Sequence, residues 1–123
     1  MSRAINAKGA PPQAGPYSHA VRTGNLVFLA GQGPFDPDGG PRPETFEEQA
    51  RLTFRNLAAV AEAAGGSLAD AVRVGVYLQD MDDFAAMNTV YAEFFTEPYP
   101  ARTTIQSSMK ISIEVDGVLE LGM

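Results

Sequence analysis

A chain of 123 residues, 45% hydrophobic and 20% charged, has the make-up of one soluble globular domain, long enough to bury a core without disulfides or a metal. Fifteen acidic against nine basic side chains leave a net charge of −6, which argues against the clustered positive field of a nucleic-acid surface but not against a local arginine that holds a small anion. With no cysteine and one histidine, His19, the chain has no thiolate nucleophile, Cys-ligated zinc or His-rich metal cluster.

No run approaches the roughly 18 to 20 apolar residues of a membrane span, and the stretch between Arg3 and Lys8 lacks a signal-peptide core. The chain is expected to be cytoplasmic, without a membrane partner, and to form a single domain over residues 1–123. The residues up to Pro16 are rich in Gly, Pro and Ala and read as an ordered arm rather than a strand–helix unit. Ser18 to Thr23 reads as a strand, Gly24-Asn25 as a turn, and Leu26 to Ala30 as a second strand, together a hairpin. That second strand is continuously apolar, which suggests burial on both faces in the middle of a sheet. Gly31-Gln32-Gly33-Pro34 ends it, and Asp36-Pro37-Asp38-Gly39-Gly40-Pro41 is surface turn chemistry.

Thr45 followed by Glu48 predicts a capped helix, with Phe46, Ala50, Phe54, Leu57, Ala61 and Ala64 as its apolar stripe and Gly65-Gly66 as its stop. Val72, Val74, Val76 and Leu78 alternate with polar or small residues and predict a half-exposed strand. A second helix starts near Asp82 or Asp83 and runs to about Phe95, with Phe84, Met87 and Tyr91 on its stripe. Two further strands run from Arg102 to about Ser108 and from about Ile111. The predicted order is β-β-α-β-α-β-β, an α+β fold with both helices on one face of a mixed sheet. The opposite face is left bare and calls for a partner subunit.

In Glu97-Pro98-Tyr99-Pro100-Ala101-Arg102, two prolines stiffen the backbone that presents an arginine at the mouth of a strand. A guanidinium so placed suits a carboxylate, although a surface charge is the plainer reading. Asn88 lies on the stripe of the second helix, where its amide must bond either a neighbouring loop or a ligand. Glu114 falls on the polar face of the last strand, Tyr17 stands at a strand start after Pro16, and His19 is either a base or a half-exposed strand residue. Gly31-Gln32-Gly33 lacks the third glycine of a dinucleotide loop, and Asp80, Asp82 and Asp83 are better read as helix N-terminal acids than as Ca²⁺ ligands.

The segments Gly15-Pro16-Tyr17-Ser18-His19-Ala20, Gly24 to Phe28 with Gly31-Gln32, Asp80 to Phe84 through Asn88 and Tyr91, Pro100 to Thr104, and Ile113-Glu114-Val115-Asp116 resemble the RidA/YjgF family of reactive-intermediate (enamine/imine) deaminases. The likeness covers nearly the whole chain, in order and at similar spacing. It implies a chorismate-mutase-like α+β subunit and a homotrimer whose sheets form an inner barrel with ligand clefts between subunits. It also implies hydrolysis of 2-imino or 2-enamino acids, such as 2-aminoacrylate or 2-iminobutanoate, to 2-oxo acids and ammonia, with neither metal nor cofactor. Arg102 falls where the family binds the substrate carboxylate, Glu114 where it activates water, and Tyr17 where a tyrosine lines the cleft from the adjoining subunit. Asn88, Ala30, Gly31 and Thr104 fall at substrate-binding positions.

Three departures stand out. Ala30 replaces a common serine, Thr104 replaces a cysteine, and the stretch from Arg102 to Glu114 is about three residues short, a deletion placed near Lys110. In another register Glu120 would take the place of Glu114. The alternatives are a non-catalytic trimer that senses 2-oxo or imino carboxylates in the same cleft, which Ala30 favours, and hydrolysis of a related catabolic enamine such as 3-aminoacrylate. The acidic charge and single histidine argue against the ribonuclease activity claimed for some members.

Overall fold

The computed structural model describes residues 2–122. Its strands are β1 (Ser2–Ile5), β2 (Ala20–Thr23), β3 (Leu26–Gln32), β4 (Ala71–Leu78), β5 (Ala101–Gln106) and β6 (Ile113–Glu120). Its α-helices are α1 (Phe46–Ala63) and α2 (Phe84–Phe94). The strands form one mixed sheet in the order β1-β2-β3-β6-β4-β5, in which only β4 and β5 run parallel.

The predicted hairpin is present. Gly24 takes φ +59, the left-handed turn conformation that a Cβ would strain, and sets Thr23 opposite Leu26. The expected arm needs correction, because residues 2–5 are a strand. Ser-Arg-Ala-Ile has little β-propensity of its own, and it is strand because the free edge of β2 supplies its ladder, from Ser2 opposite Thr23 to Ile5 opposite Ala20. The sheet thus has six strands where five were expected. The arm's next turn is pinned by His19, which is only 3% exposed rather than half-exposed. Its Nδ1 accepts from the Ala7 N–H at 2.8 Å, so the Nε2–H is left to donate to the Pro11 carbonyl, also 2.8 Å. His19 is structural. His19→Ala should leave the buried Ala7 N–H and the part-buried Pro11 carbonyl unpaired and lower stability by about 1–3 kcal/mol, read as a lower Tm in thermal unfolding.

Thr45 caps α1 by accepting from the Glu48 N–H at 3.2 Å, and the predicted stop is a Schellman turn. Gly65 at φ +91 donates to the Glu62 carbonyl, and Gly66 donates to that of Ala61. Phe54 anchors α1 against α2, stacking on Phe94 at 5.4 Å and meeting Tyr91 and Phe95 edge-on at 5.7 and 6.0 Å. Beneath the helices lie Val27, Leu29, Val74, Val76, Leu78, Ile113, Val115 and Leu119, all buried. No helix among the described residues is long and apolar enough to cross a membrane.

Two strand readings change. β3 does sit inside the sheet, but it alternates: Val27 and Leu29 are buried, whereas Phe28 is 46% exposed on the open face. An apolar run reads as two-faced burial only when both faces are covered within one chain. In β4, Val74, Val76 and Leu78 are buried as expected, but Gly75 between them is buried too, and Val72 is exposed because a bulge at Ala71–Arg73 puts one extra residue opposite β6. The open face also carries Ile105, 46% exposed, and the half-buried Val21 and Val118. The connection from β5 to β6 crosses the end of β4 in residues 107–112, which include Lys110. Ser107 donates to the Leu78 carbonyl, and Gln79 bonds Ser112 through its backbone and Met109 through its side chain.

Candidate active site

Arg102 pairs in register with Val74, whose side chain is wholly buried, so Arg102 lies on the helix-covered face. There its guanidinium lies over the Tyr91 ring at 4.7 Å and near the Phe84 ring at 5.7 Å, and Nη1 reaches the Met87 sulfur at 3.9 Å. Arg102 forms no ion pair among the described residues. It borders an open cavity of about 310 Å³ with Asn88, Tyr91, Ala92, Tyr99 and Pro100. Pro100 walls the cavity and Tyr99 stands 55% exposed at its rim. Asn88 is half-buried, and its amide has no partner among the described residues, so it lines the cavity rather than bracing a loop. Two hydroxyls on this side are shut off from solvent without a hydrogen-bond partner, those of Tyr91 and Thr104. Burial pushes the Tyr91 phenol up and the Arg102 charge partly offsets it, so the group is a neutral donor.

Glu114 stands on the other face. Its strand neighbours Ile113 and Val115 are buried beneath the helices, so the carboxylate projects to the open side, opposite Tyr77. It borders a second cavity of about 420 Å³ with Tyr17, Gly31, Gly33, Phe35 and Ile111. Burial, and then the charge of Asp116, push its carboxyl above the usual range. Asp116 is itself tied to the Tyr77 hydroxyl at 3.0 Å. Gly31 makes room for Glu114, because a Cβ on Gly31 would overlap the carboxylate. The bulge between Leu29 and Gln32 brings Gly31 there, while the Ala30 N–H is spent on the His19 carbonyl. Tyr17 is 47% exposed, and its hydroxyl accepts from the Ala14 N–H at 3.2 Å.

Within one chain, then, the expected residues fall into two groups: Arg102 and Asn88 on the helix side, Glu114, Tyr17 and Gly31 on the open side. Ala30 and Thr104 adjoin these groups without lining either cavity. Glu120 lies exposed at the far end of β6 and lines neither. Three contributors were read from sequence only as packing or not at all. Tyr91 and Phe84 were placed on the α2 stripe, and their spacing of seven, two turns on one face, was the available signal. Asn56 was missed. Its buried amide donates to the Gly33 and Phe35 carbonyls at 2.9 and 2.8 Å and holds the wall of the Glu114 cavity.

A family model described as endoribonuclease L-PSP matches residues 7–118. A RutC family protein of Pyrococcus horikoshii is 43% identical over 122 residues, 96% of this chain and 97% of that one. The 2-iminobutanoate/2-iminopropanoate deaminase of Salmonella typhimurium is 38% identical over 126 residues, 96% and 98% of the two chains. The crystal structure of Escherichia coli TdcF with bound serine superposes with a TM-score of 0.91 at 34% identity, covering 98% of this chain and 99% of that one. Residue motifs, sheet order and these likenesses agree: the chain belongs to the endoribonuclease L-PSP family, the RidA/YjgF family, and has its chorismate-mutase-like α+β fold.

Proposed function

We propose that this protein hydrolyses reactive 2-imino and 2-enamino acids to 2-oxo acids and ammonia, in clefts between the subunits of a homotrimer. The observation that carries the reading is the division of the site. An arginine without an acidic partner and a carboxylate with a raised pKa lie on opposite faces of one sheet. Within one chain they border separate cavities that share no lining residue. The open face, with Phe28 and Ile105 exposed, provides a surface on which a second copy can place its Arg102 cavity beside Glu114. The Salmonella relative's activity supports the chemistry, and the serine in TdcF supports a small amino-acid-like ligand.

In this reading Arg102 grips the carboxylate by two parallel hydrogen bonds, and Asn88 is the polar group beside it. Glu114 and Tyr17, from the neighbouring subunit, meet the C=N end. Glu114 takes a proton from water as its oxygen adds to the imine carbon, and the imine nitrogen is protonated, giving a carbinolamine. Glu114 then passes a proton to the amino group; the C–N bond breaks, ammonia leaves, and the remaining hydroxyl loses its proton to give the 2-oxo acid. An enamine enters after protonation of its β-carbon. The imine is already electrophilic, so positioning and proton transfer suffice.

The direct test is ammonia release from 2-iminobutanoate generated in place, at a rate above spontaneous hydrolysis. The division of the site gives a second. Arg102→Ala and Glu114→Gln chains, each inactive alone, should regain about one quarter of wild-type activity when co-assembled one to one, because a random neighbour pair is complete in about one case in four. No recovery in verified mixed trimers would place both residues in one subunit's site. Ala30, which brings no hydroxyl, favours a second reading, a trimer that binds 2-oxo acids without turnover. Tight 2-oxobutanoate binding with no acceleration on any imine would decide for it.

A further inference from the structure

Arg102 has an unusual setting for a cation. Its Coulombic partners are neutral and soft: the π-face of Tyr91 at 4.7 Å, that of Phe84 at 5.7 Å, and the thioether of Met87 at 3.9 Å. A carboxylate from its own chain would neutralise the guanidinium and occupy its N–H edge. Aromatic faces attract the cation through their quadrupole without using its N–H donors, and the only one of these donors engaged among the described residues is Nη1, in a weak contact with the Met87 sulfur. The two rings come from one helix, seven residues apart, so they form a rigid fixture. Tyr91 is held in turn by stacking on Phe95 at 4.3 Å and by the edge contact with Phe54.

We infer that Tyr91 and Phe84 are positioning residues that hold the Arg102 guanidinium flat, so that its hydrogen-bonding edge is presented to the substrate carboxylate before binding. The inference rests on the carboxylate-binding reading of Arg102. It assigns to the α2 stripe a role beyond packing and predicts that the rings contribute to discrimination between charged and neutral ligands, not to affinity in general. An arginine free to rotate must lose that freedom on binding, whereas a stacked one has already lost it.

The test uses two unreactive probes, 2-oxobutanoate and its primary amide 2-oxobutanamide, with their Kd values measured by calorimetry on the full-length protein. The ratio of the two is the readout. General damage to the cavity weakens both probes alike and leaves the ratio unchanged. Phe84→Leu keeps apolar bulk at a position already 38% exposed, and should lower the preference for the acid by about threefold to thirtyfold, the range of a cation–π contact. Tyr91→Leu should do the same if it folds. Tyr91→Phe, which keeps the ring and deletes only the hydroxyl, should stay within about twofold of wild type. An unchanged ratio in Phe84→Leu and Tyr91→Leu, with Arg102→Ala abolishing the preference, would overturn the inference and leave the carboxylate site intact. An unchanged ratio in Arg102→Ala would overturn both.

Discussion

If Arg102 holds the substrate carboxylate as proposed, Arg102→Ala is expected to lower kcat/KM for 2-imino acids by about 10²- to 10³-fold, the cost of truncating one partner of a hydrogen-bonded charge pair. Arg102 is the single cation that lines the cavity, and the amide of Asn88 brings no charge to replace it. Because the carboxylate is present before and throughout the reaction, most of the loss should fall on KM rather than kcat. Arg102→Lys keeps the charge but loses both the guanidinium's contact with the rings and the two-pronged grip, so it should recover only a small part of the activity. Steady-state kinetics on 2-iminobutanoate with an ammonia readout checks both variants. Wild-type kinetics in Arg102→Ala would remove the carboxylate-binding role altogether.

Glu114→Gln is expected to lower kcat by about 10²- to 10⁴-fold with KM little changed, as for removal of a general acid–base group. The pH profile provides an independent signature. A base must be ionised to accept a proton, and burial together with Asp116 raises the Glu114 pKa. Wild-type activity should therefore fall on acidification along a limb that lies above the ordinary carboxylate range. Asp116→Asn removes the second cause and should move that limb down, whereas Glu114→Gln should leave its residual activity flat there. Stability follows the opposite sign. A carboxyl whose folded pKa exceeds its unfolded value binds protons preferentially when folded, so its contribution worsens as pH rises through that window. Glu114→Gln should accordingly be no less stable than wild type at neutral pH by thermal unfolding. A large drop in Tm would point to a structural role instead.

The elements that sequence reading placed well carry their own local instructions. Gly24, Thr45 and Gly65-Gly66 act through backbone geometry and a cap bond within a few residues, and the stripe of α1 needs only its helical period. The readings that changed all depend on distant chain. Residues 2–5 become strand because β2 offers an edge, and Val72 leaves the alternation because β6 is one residue short of matching it. His19 is buried because the arm folds over it to bond both ring nitrogens. Asn56 gave no signal, since an amide on a helix reveals its carbonyl partners only after a loop 21 to 23 residues away has packed against it.

For the site, sequence alone determined which residue types are available and that they match the RidA/YjgF pattern in order: an arginine after Pro100-Ala101, a glutamate in the last strand, a tyrosine after Gly15-Pro16. It also bounded the chemistry, because a chain without cysteine and with one histidine has few nucleophiles to offer. Only the tertiary structure decided that Arg102 and Glu114 face away from each other, since side-chain direction depends on strand register and on which face the helices cover. Only packing decided that α2 supplies the rings beneath Arg102, and that the Gly31 bulge leaves space for the Glu114 carboxylate. Motif order is a property of the chain, but the distance and orientation of two charges depend on the whole fold.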